Sequence, residues 1–174
     1  THWPGMQIWN RDIDRLAPPE LVRGMATGTG VSVVRAHQTT LGTFEGVLFE
    51  RLPHSAGGLM TSIGVYHRAR RGYGLRYCPR CLDEEPTAYF RKTWRVLNMT
   101  TCLEHGVQLR DSCPACDAPI IPSRGDFLGC HACGIDIRDT SPLPASSSAL
   151  AADWRMRNVL AGEAVNRPFL QGLH

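Results

Sequence analysis

Lysine is almost missing from this chain: Lys92 is the only one, so nearly all of its positive charge is arginine. Arginine's planar fork suits phosphate and stacking contacts, although the same usage is what a GC-rich genome would encode. The formal net charge of +3 is too small to establish a nucleic-acid partner by itself. No run of apolar residues is long enough to span a membrane, and no apolar leader opens the chain. Aromatic residues are modest at 7%, against an ordinary hydrophobic share of 43%. Thr1 stands where an initiator methionine would, so an N-terminal part of a longer protein is expected to be missing. Seven cysteines cannot all pair with one another, which argues against a disulfide-bonded secreted domain.

What is present is a concentration of metal-ligand residues. From Cys78 the chain reads CPRC, CLEH, CPAC and CHAC, four pairs with two residues between their members that contain all seven cysteines and His105. Seven cysteines and one histidine complete two four-ligand sets, the requirement of two structural zinc ions. Two residues between ligands let a tight turn aim both donors at one point. Twenty residues lie between Cys81 and Cys102 and thirteen between Cys116 and Cys130. The first gap fits a zinc-ribbon spacing of roughly 15–20 and the second is a little short of it. Sequential pairing puts Cys78, Cys81, Cys102 and His105 on one metal and Cys113, Cys116, Cys130 and Cys133 on the other, each gap being long enough for a small β-hairpin. A cross-braced arrangement would interleave the pairs. Both sets close with four protein ligands, whereas a catalytic zinc keeps a position open for water. His131, inside CHAC, reads as a surface histidine. Modules this small gain much of their folding free energy from the metal, and reduced metal-bound thiols point to the cytosol.

Upstream, residues 1–16 read as an irregular or short helical entry carrying Trp3, Ile8 and Trp9. Ala17-Pro18-Pro19-Glu20 is a helix start. Leu21, Val22 and Met25 give it a core stripe, and Gly28 and Gly30 stop it. A second helix is expected at once, with Val31, Val34, Leu41 and Phe44 inward and Ser32, Arg35, Gln38 and Thr39 outward. Two helices joined by a glycine turn are the layout of a helix-turn-helix, and equally of a plain helical hairpin. From Tyr66 to Arg80, five arginines (Arg68, Arg70, Arg71, Arg76, Arg80) alternate with tyrosines without an acid between them. Such a stretch can clamp phosphates and stack on bases, or be a solvated loop leading into the first ligand pair. Asp83, Glu84 and Glu85 look like a solvated acidic knuckle, and Tyr89, Phe90, Trp94, Val96 and Leu97 supply apolar material to the first module. Ser141–Ser148 reads as a linker. A helix follows with Leu150, Trp154, Val159 and Leu160 on one face.

RYCPRCL, YFRKTWRV and TTCLEHGVQLRDSCPACDAPI together resemble the TniQ family of transposition proteins, as do RDIDRLAPPELVRGMATGTG and TTLGTFEGVLF upstream. The resemblance covers most of residues 9–137, and CLEH followed by Gly106 and Leu109 is its most specific part. It implies a target-selection or adaptor subunit that binds DNA or a target-recognising complex, RNA-guided in some systems, and engages an AAA+ ATPase that recruits the transposase. By position, each four-residue set above matches a family zinc site.

The expected fold is therefore α+β in small modules: a helical region over 1–65 with a helix-turn-helix at about 17–45, a basic lead-in and first zinc ribbon over 66–110, a second zinc ribbon over 111–140, a linker at 141–148 and, over 149–174, a C-terminal helix or the start of a further domain. The expected function is a non-enzymatic, zinc-stabilised, DNA-binding adaptor of transposition in the bacterial cytoplasm, near the nucleoid. The competing reading is a transcription regulator with a helix-turn-helix and zinc ribbons. An enzyme would need an open metal site or a denser carboxylate cluster.

Overall fold

A proline in the first helical turn needs no hydrogen-bond partner for its nitrogen, which is why the first long helix begins where the chain reads Pro18-Pro19. In a computed structural model, which describes residues 12–16, 18–51, 59–61, 63, 75–121 and 126–162, a single helical turn α1 (Ile13–Leu16) precedes α2 (Pro19–Thr29). Gly30 ends α2 with φ of 72°, a left-handed conformation that glycine adopts without a Cβ clash. Gly28, also expected to stop the helix, lies inside it. Helix α3 (Val33–His37) starts on Ser32, whose hydroxyl accepts the Arg35 N–H at 3.2 Å. Leu21, Val22 and Ala26 of α2 are buried, and Val22 and Ala26 pack with Ala36 of α3.

The second helix is shorter than the apolar spacing predicts. Thr39 and Thr40 donate their hydroxyls to the carbonyls of Ala36 and His37 at 2.7 and 2.8 Å, closing the helix there. The chain then turns into a 3-10 helix, Leu41–Phe44, whose two ends are buried. Val34 and Leu41 share a face only in one continuous helix. With that helix broken, Leu41 and Phe44 go inward as expected, while Val31 and Val34 do not: they are 42% and 69% exposed.

Beyond the helices, α4 (Pro79–Glu84) carries the first ligand pair and a 3-10 helix, Lys92–Arg95, follows. Strands β1 (Thr101–Cys102) and β2 (Val107–Gln108) form a two-stranded antiparallel sheet, pairing Thr101 with Gln108 and Cys102 with Val107. Single bridges tie Ser112 to Pro119 and Gly129 to Asp136. The hairpins thus surround the ligand pairs instead of filling the gaps between them. The first gap holds the 3-10 helix, with Trp94 and Val96 buried but Tyr89 and Leu97 47% and 45% exposed. The architecture is mixed helix and small antiparallel sheet with clustered cysteines.

The segment from Arg91 to Val96 joins the parts. Trp94 sits in a core that both ligand-bearing segments share, with Tyr77, Leu82 and Ile137, whereas Val96 sits with Leu41, Phe44, Met60 and Met99. Arg95, 2% exposed, directs its guanidinium to the carboxylate of Asp12 and to the Thr61 carbonyl at 2.8 Å. Lys92 donates to the carbonyl of Gln38 at 2.6 Å and lies over the Phe44 ring. Residues 141–148 are held along the sheet and not left free: Gln108 N–H donates to Leu143 O at 2.8 Å, and Ala145 N–H to Gly106 O at 2.9 Å.

Helix α5 (Ser147–Leu160), capped by the Ser146 hydroxyl, packs back on the body. Of the expected face Leu160 packs inward with Met156, Leu150 and Val159 are half-buried and Trp154 is 52% exposed, while Asp153 is the buried residue of the helix. Asp153, 2% exposed, accepts the N–H groups of Thr100 and Thr101 at 2.8 and 2.6 Å and the Thr101 hydroxyl at 2.7 Å. Replacing Asp153 by alanine leaves these donors without an acceptor, at about 1–3 kcal/mol for each buried one. Asp153→Ala should therefore lower unfolding stability by about 3 kcal/mol in denaturant titrations and speed hydrogen exchange at Thr100 and Thr101. An unchanged midpoint would show that α5 is held by its apolar contacts alone.

Candidate metal centres

Each ligand pair is aimed by a local backbone device. Cys78 precedes the first turn of α4 and Cys81 lies within it, Leu82 N–H closing on Cys78 O at 3.2 Å. The other three pairs are tight knuckles. Gly106, Asp117 and Gly134, the residues directly after each pair, have φ of 64°, 56° and 78°. Their N–H groups donate to Cys102, Cys113 and Cys130 carbonyls at 2.9, 3.0 and 2.8 Å. Two of these left-handed positions are glycine, and aspartate is among the few other residues that tolerate one.

The result is two four-donor groups in which every donor atom lies within 4.8 Å of the others, Cys78, Cys81, Cys102 and His105, and Cys113, Cys116, Cys130 and Cys133, beside a three-donor set of Cys81, Glu85 and Glu104 that shares Cys81 with the first. The grouping is sequential, with no interleaving. All seven cysteines are free thiols. In the first group His105 presents Nδ1, at 3.5, 3.3 and 3.4 Å from the sulfurs of Cys78, Cys81 and Cys102, and Cys81 and Cys102 sulfurs are 3.5 Å apart. In the second, Cys113 to Cys133 is 3.6 Å and Cys116 to Cys130 is 3.7 Å. A metal at about 2.3 Å from each sulfur needs tetrahedral edges of about 3.7 Å, so both donor sets fit such an ion and are consistent with zinc.

The sulfurs of the first group do not hold their protons equally. The Cys78 thiol, donating to the Cys102 sulfur, holds Cys102 down to about 5, while burial and the charge on Cys102 push Cys81 up to about 12. Without a cation, the pocket keeps protons on some of its sulfurs. A bound cation must displace them, so affinity falls as pH falls.

Around the first group lies a set of partners that the sequence did not announce. His105 turns Nε2 toward a Glu84 carboxylate oxygen at 2.9 Å, fixing the ring with Nδ1 toward the sulfurs. Arg80 Nε holds Glu84 at 2.9 Å. Hydrogen bonds from His105 and then Arg80 lower the Glu84 pKa. Arg91 reaches Glu85, Glu104 at 2.7 Å, the Tyr89 hydroxyl at 2.9 Å and the Cys81 sulfur at 3.8 Å. The acidic knuckle is solvated at Asp83 and Glu84, which are exposed, but Glu84 and the partly buried Glu85 are also engaged around the ligands. His131 is only half-exposed, and its Nδ1 is buried without a partner.

The arginines expected at phosphate divide three ways. Arg76 is turned inward, its Nη1 donating to the Val96, Leu97 and Met99 carbonyls at 3.3, 2.8 and 2.8 Å. Arg80 is half-exposed and paired with Glu84. Arg68, Arg70 and Arg71 lie outside the described residues. Ser32, Arg35, Gln38 and Thr39 are exposed, with Ser32 serving as the cap of α3.

Two four-donor groups on a mixed helix and sheet scaffold could each hold a metal ion. The family model described as TniQ matches residues 4–109, more than half of the chain, and the chain belongs to the TniQ family. The match takes in the first donor group and ends before the second. Membership associates the chain with DNA transposition. No curated protein matches it.

The two groups differ in cover. Cys78, Cys81 and Cys102 are at most 4% exposed, whereas Cys116 and Cys133 are exposed. Metal analysis should find two ions per chain, and a chelator should strip the second group first. Glu84→Gln should weaken metal binding at the first group by about 10-fold or more, followed by competition with a chromogenic chelator, and leave the second unchanged. Equal loss at both groups would show that Glu84 acts on the fold and not on His105.

Proposed function

We propose that this chain is a zinc-stabilised, DNA-binding adaptor of transposition that links target-site recognition to an AAA+ ATPase and, through it, to the transposase. In this reading both donor groups hold structural zinc, with Cys78, Cys81, Cys102 and His105 on one ion and Cys113, Cys116, Cys130 and Cys133 on the other. The observation that carries it is the closure of both groups by four protein donors within a TniQ-family chain. Four protein ligands leave no position for a reacting water, so the metals serve as scaffold and the chain as a platform. Helices α2 and α3 act as a helix-turn-helix: they pack through Val22, Ala26 and Ala36, leaving Arg35, Gln38 and Thr39 outward. The target-recognising partner is DNA itself or an RNA-guided complex, and the work is done in the bacterial cytoplasm at the nucleoid.

Two measurements test this reading. Affinity purification from cells carrying the transposition operon should recover an AAA+ ATPase identified by mass spectrometry. A stable complex with a single operator and no ATPase would instead make the chain a transcription regulator. Duplex DNA binding should weaken steeply with salt. The triple variant Arg35→Ala, Arg70→Ala, Arg71→Ala should lower both the affinity and the salt slope, by about one unit of slope for each phosphate no longer neutralised. Unchanged binding would remove these arginines from the DNA interface.

A further inference from the structure

The outward face of α3 is not the polar surface expected of a solvated helix. Ala36 is its one buried residue, at 2% exposure. At a hundred degrees per residue, Val34 and Gln38 lie opposite Ala36, one turn apart on the same face, with Arg35 and His37 on either side. Val34 is 69% exposed and Val33 51%, and Gln38 is exposed. The surroundings are cationic. Arg35 is exposed on α3 and Lys92 is anchored beside it on the Gln38 carbonyl at 2.6 Å, while Arg23 is paired with Glu20 at 3.5 Å. An exposed valine at the centre of a positively charged helix face calls for a partner that is anionic around an apolar point.

Duplex DNA offers that combination at one kind of base pair. In the major groove, thymine presents a methyl group and its paired adenine presents an acceptor and a donor that a glutamine amide matches. We infer that α3 reads an A·T pair in the major groove, Val34 packing on the thymine methyl and Gln38 bonding the adenine edge, with Arg35 on the adjoining phosphate. This rests on the DNA-binding reading above and adds to it the sequence element that is read.

The test uses the full chain and a randomised duplex pool, from which retained sequences are selected and then resynthesised with uracil in place of thymine. Uracil keeps the pairing and removes only the methyl. Wild-type protein should bind the uracil version of a selected site about fourfold more weakly, the loss expected for one buried methyl. Val34→Ala should bind both versions alike, and Gln38→Ala should lose the preference for adenine at that pair. Val34 is exposed, so the variant's retained helix content and metal stoichiometry should certify its fold. Equal binding of thymine and uracil sites by the wild type overturns the inference and leaves DNA binding intact. Undiminished DNA binding by Val34→Ala, with loss of an acidic protein partner, also overturns it. Failure to retain any duplex, even at low salt, removes the DNA-binding reading itself.

Discussion

The buried guanidinium of Arg95 is the contact on which the described fold depends. Its partners come from distant parts of the chain: Asp12 before the helices and Thr61 after them. A cation at 2% exposure is tolerable only when it is paired and hydrogen-bonded, because removing either partner leaves an uncompensated charge in a poorly polarisable interior. The neighbouring residues extend the same brace. Trp94 fills the core that both ligand-bearing segments share, Val96 fills the adjoining core, and Lys92 holds the end of α3 through the Gln38 carbonyl. A short segment between two ligand pairs thereby fixes helices and donor groups in one arrangement.

This use of cations changes what the arginine-rich composition means. Arg76, Arg91 and Arg95 are committed to carbonyls, carboxylates and a sulfur inside the protein. Guanidinium suits the task because it offers several donors in a fixed plane and stays charged at any physiological pH. Charge available to an external anion is correspondingly smaller than the composition implies: among the described residues Arg35 on α3, Arg51, and Arg155 and Arg157 on α5 are exposed.

The donor groups were legible in the sequence because ligand spacing is a local property: two intervening residues and a left-handed residue afterwards suffice to build a knuckle. The start of α2 was legible for the same reason, from Pro18, Pro19 and Glu20. What was hidden depended on contacts remote in the chain. Nothing near Arg76 indicates that its acceptors are the carbonyls of Val96, Leu97 and Met99, and nothing near Asp153 indicates Thr100 and Thr101. The outward turn of Val34 was missed because apolar spacing assumes an unbroken helix, and Thr39 and Thr40 break it. The engagement of Glu84 and Glu85 was hidden because an acidic run carries no mark of the histidine and arginine that fold against it.

The brace also makes the first donor group and α3 parts of one mechanical unit. Arg91 sits against Cys81 and bridges Glu85 and Glu104, while the adjacent Lys92 is bonded to the end of α3. The 3-10 helix Lys92–Arg95 leaves little slack between these neighbours. If the cation were removed, the thiolates would reprotonate or repel one another, and Arg91 would lose the sulfur that helps position it. The disturbance would reach Lys92 within one residue. Among the described residues the second group has no such connection to α3, and its two exposed cysteines make it the more accessible of the two. A metal ion held by the first group would therefore matter to the presentation of α3, though none of its four donors touches that helix.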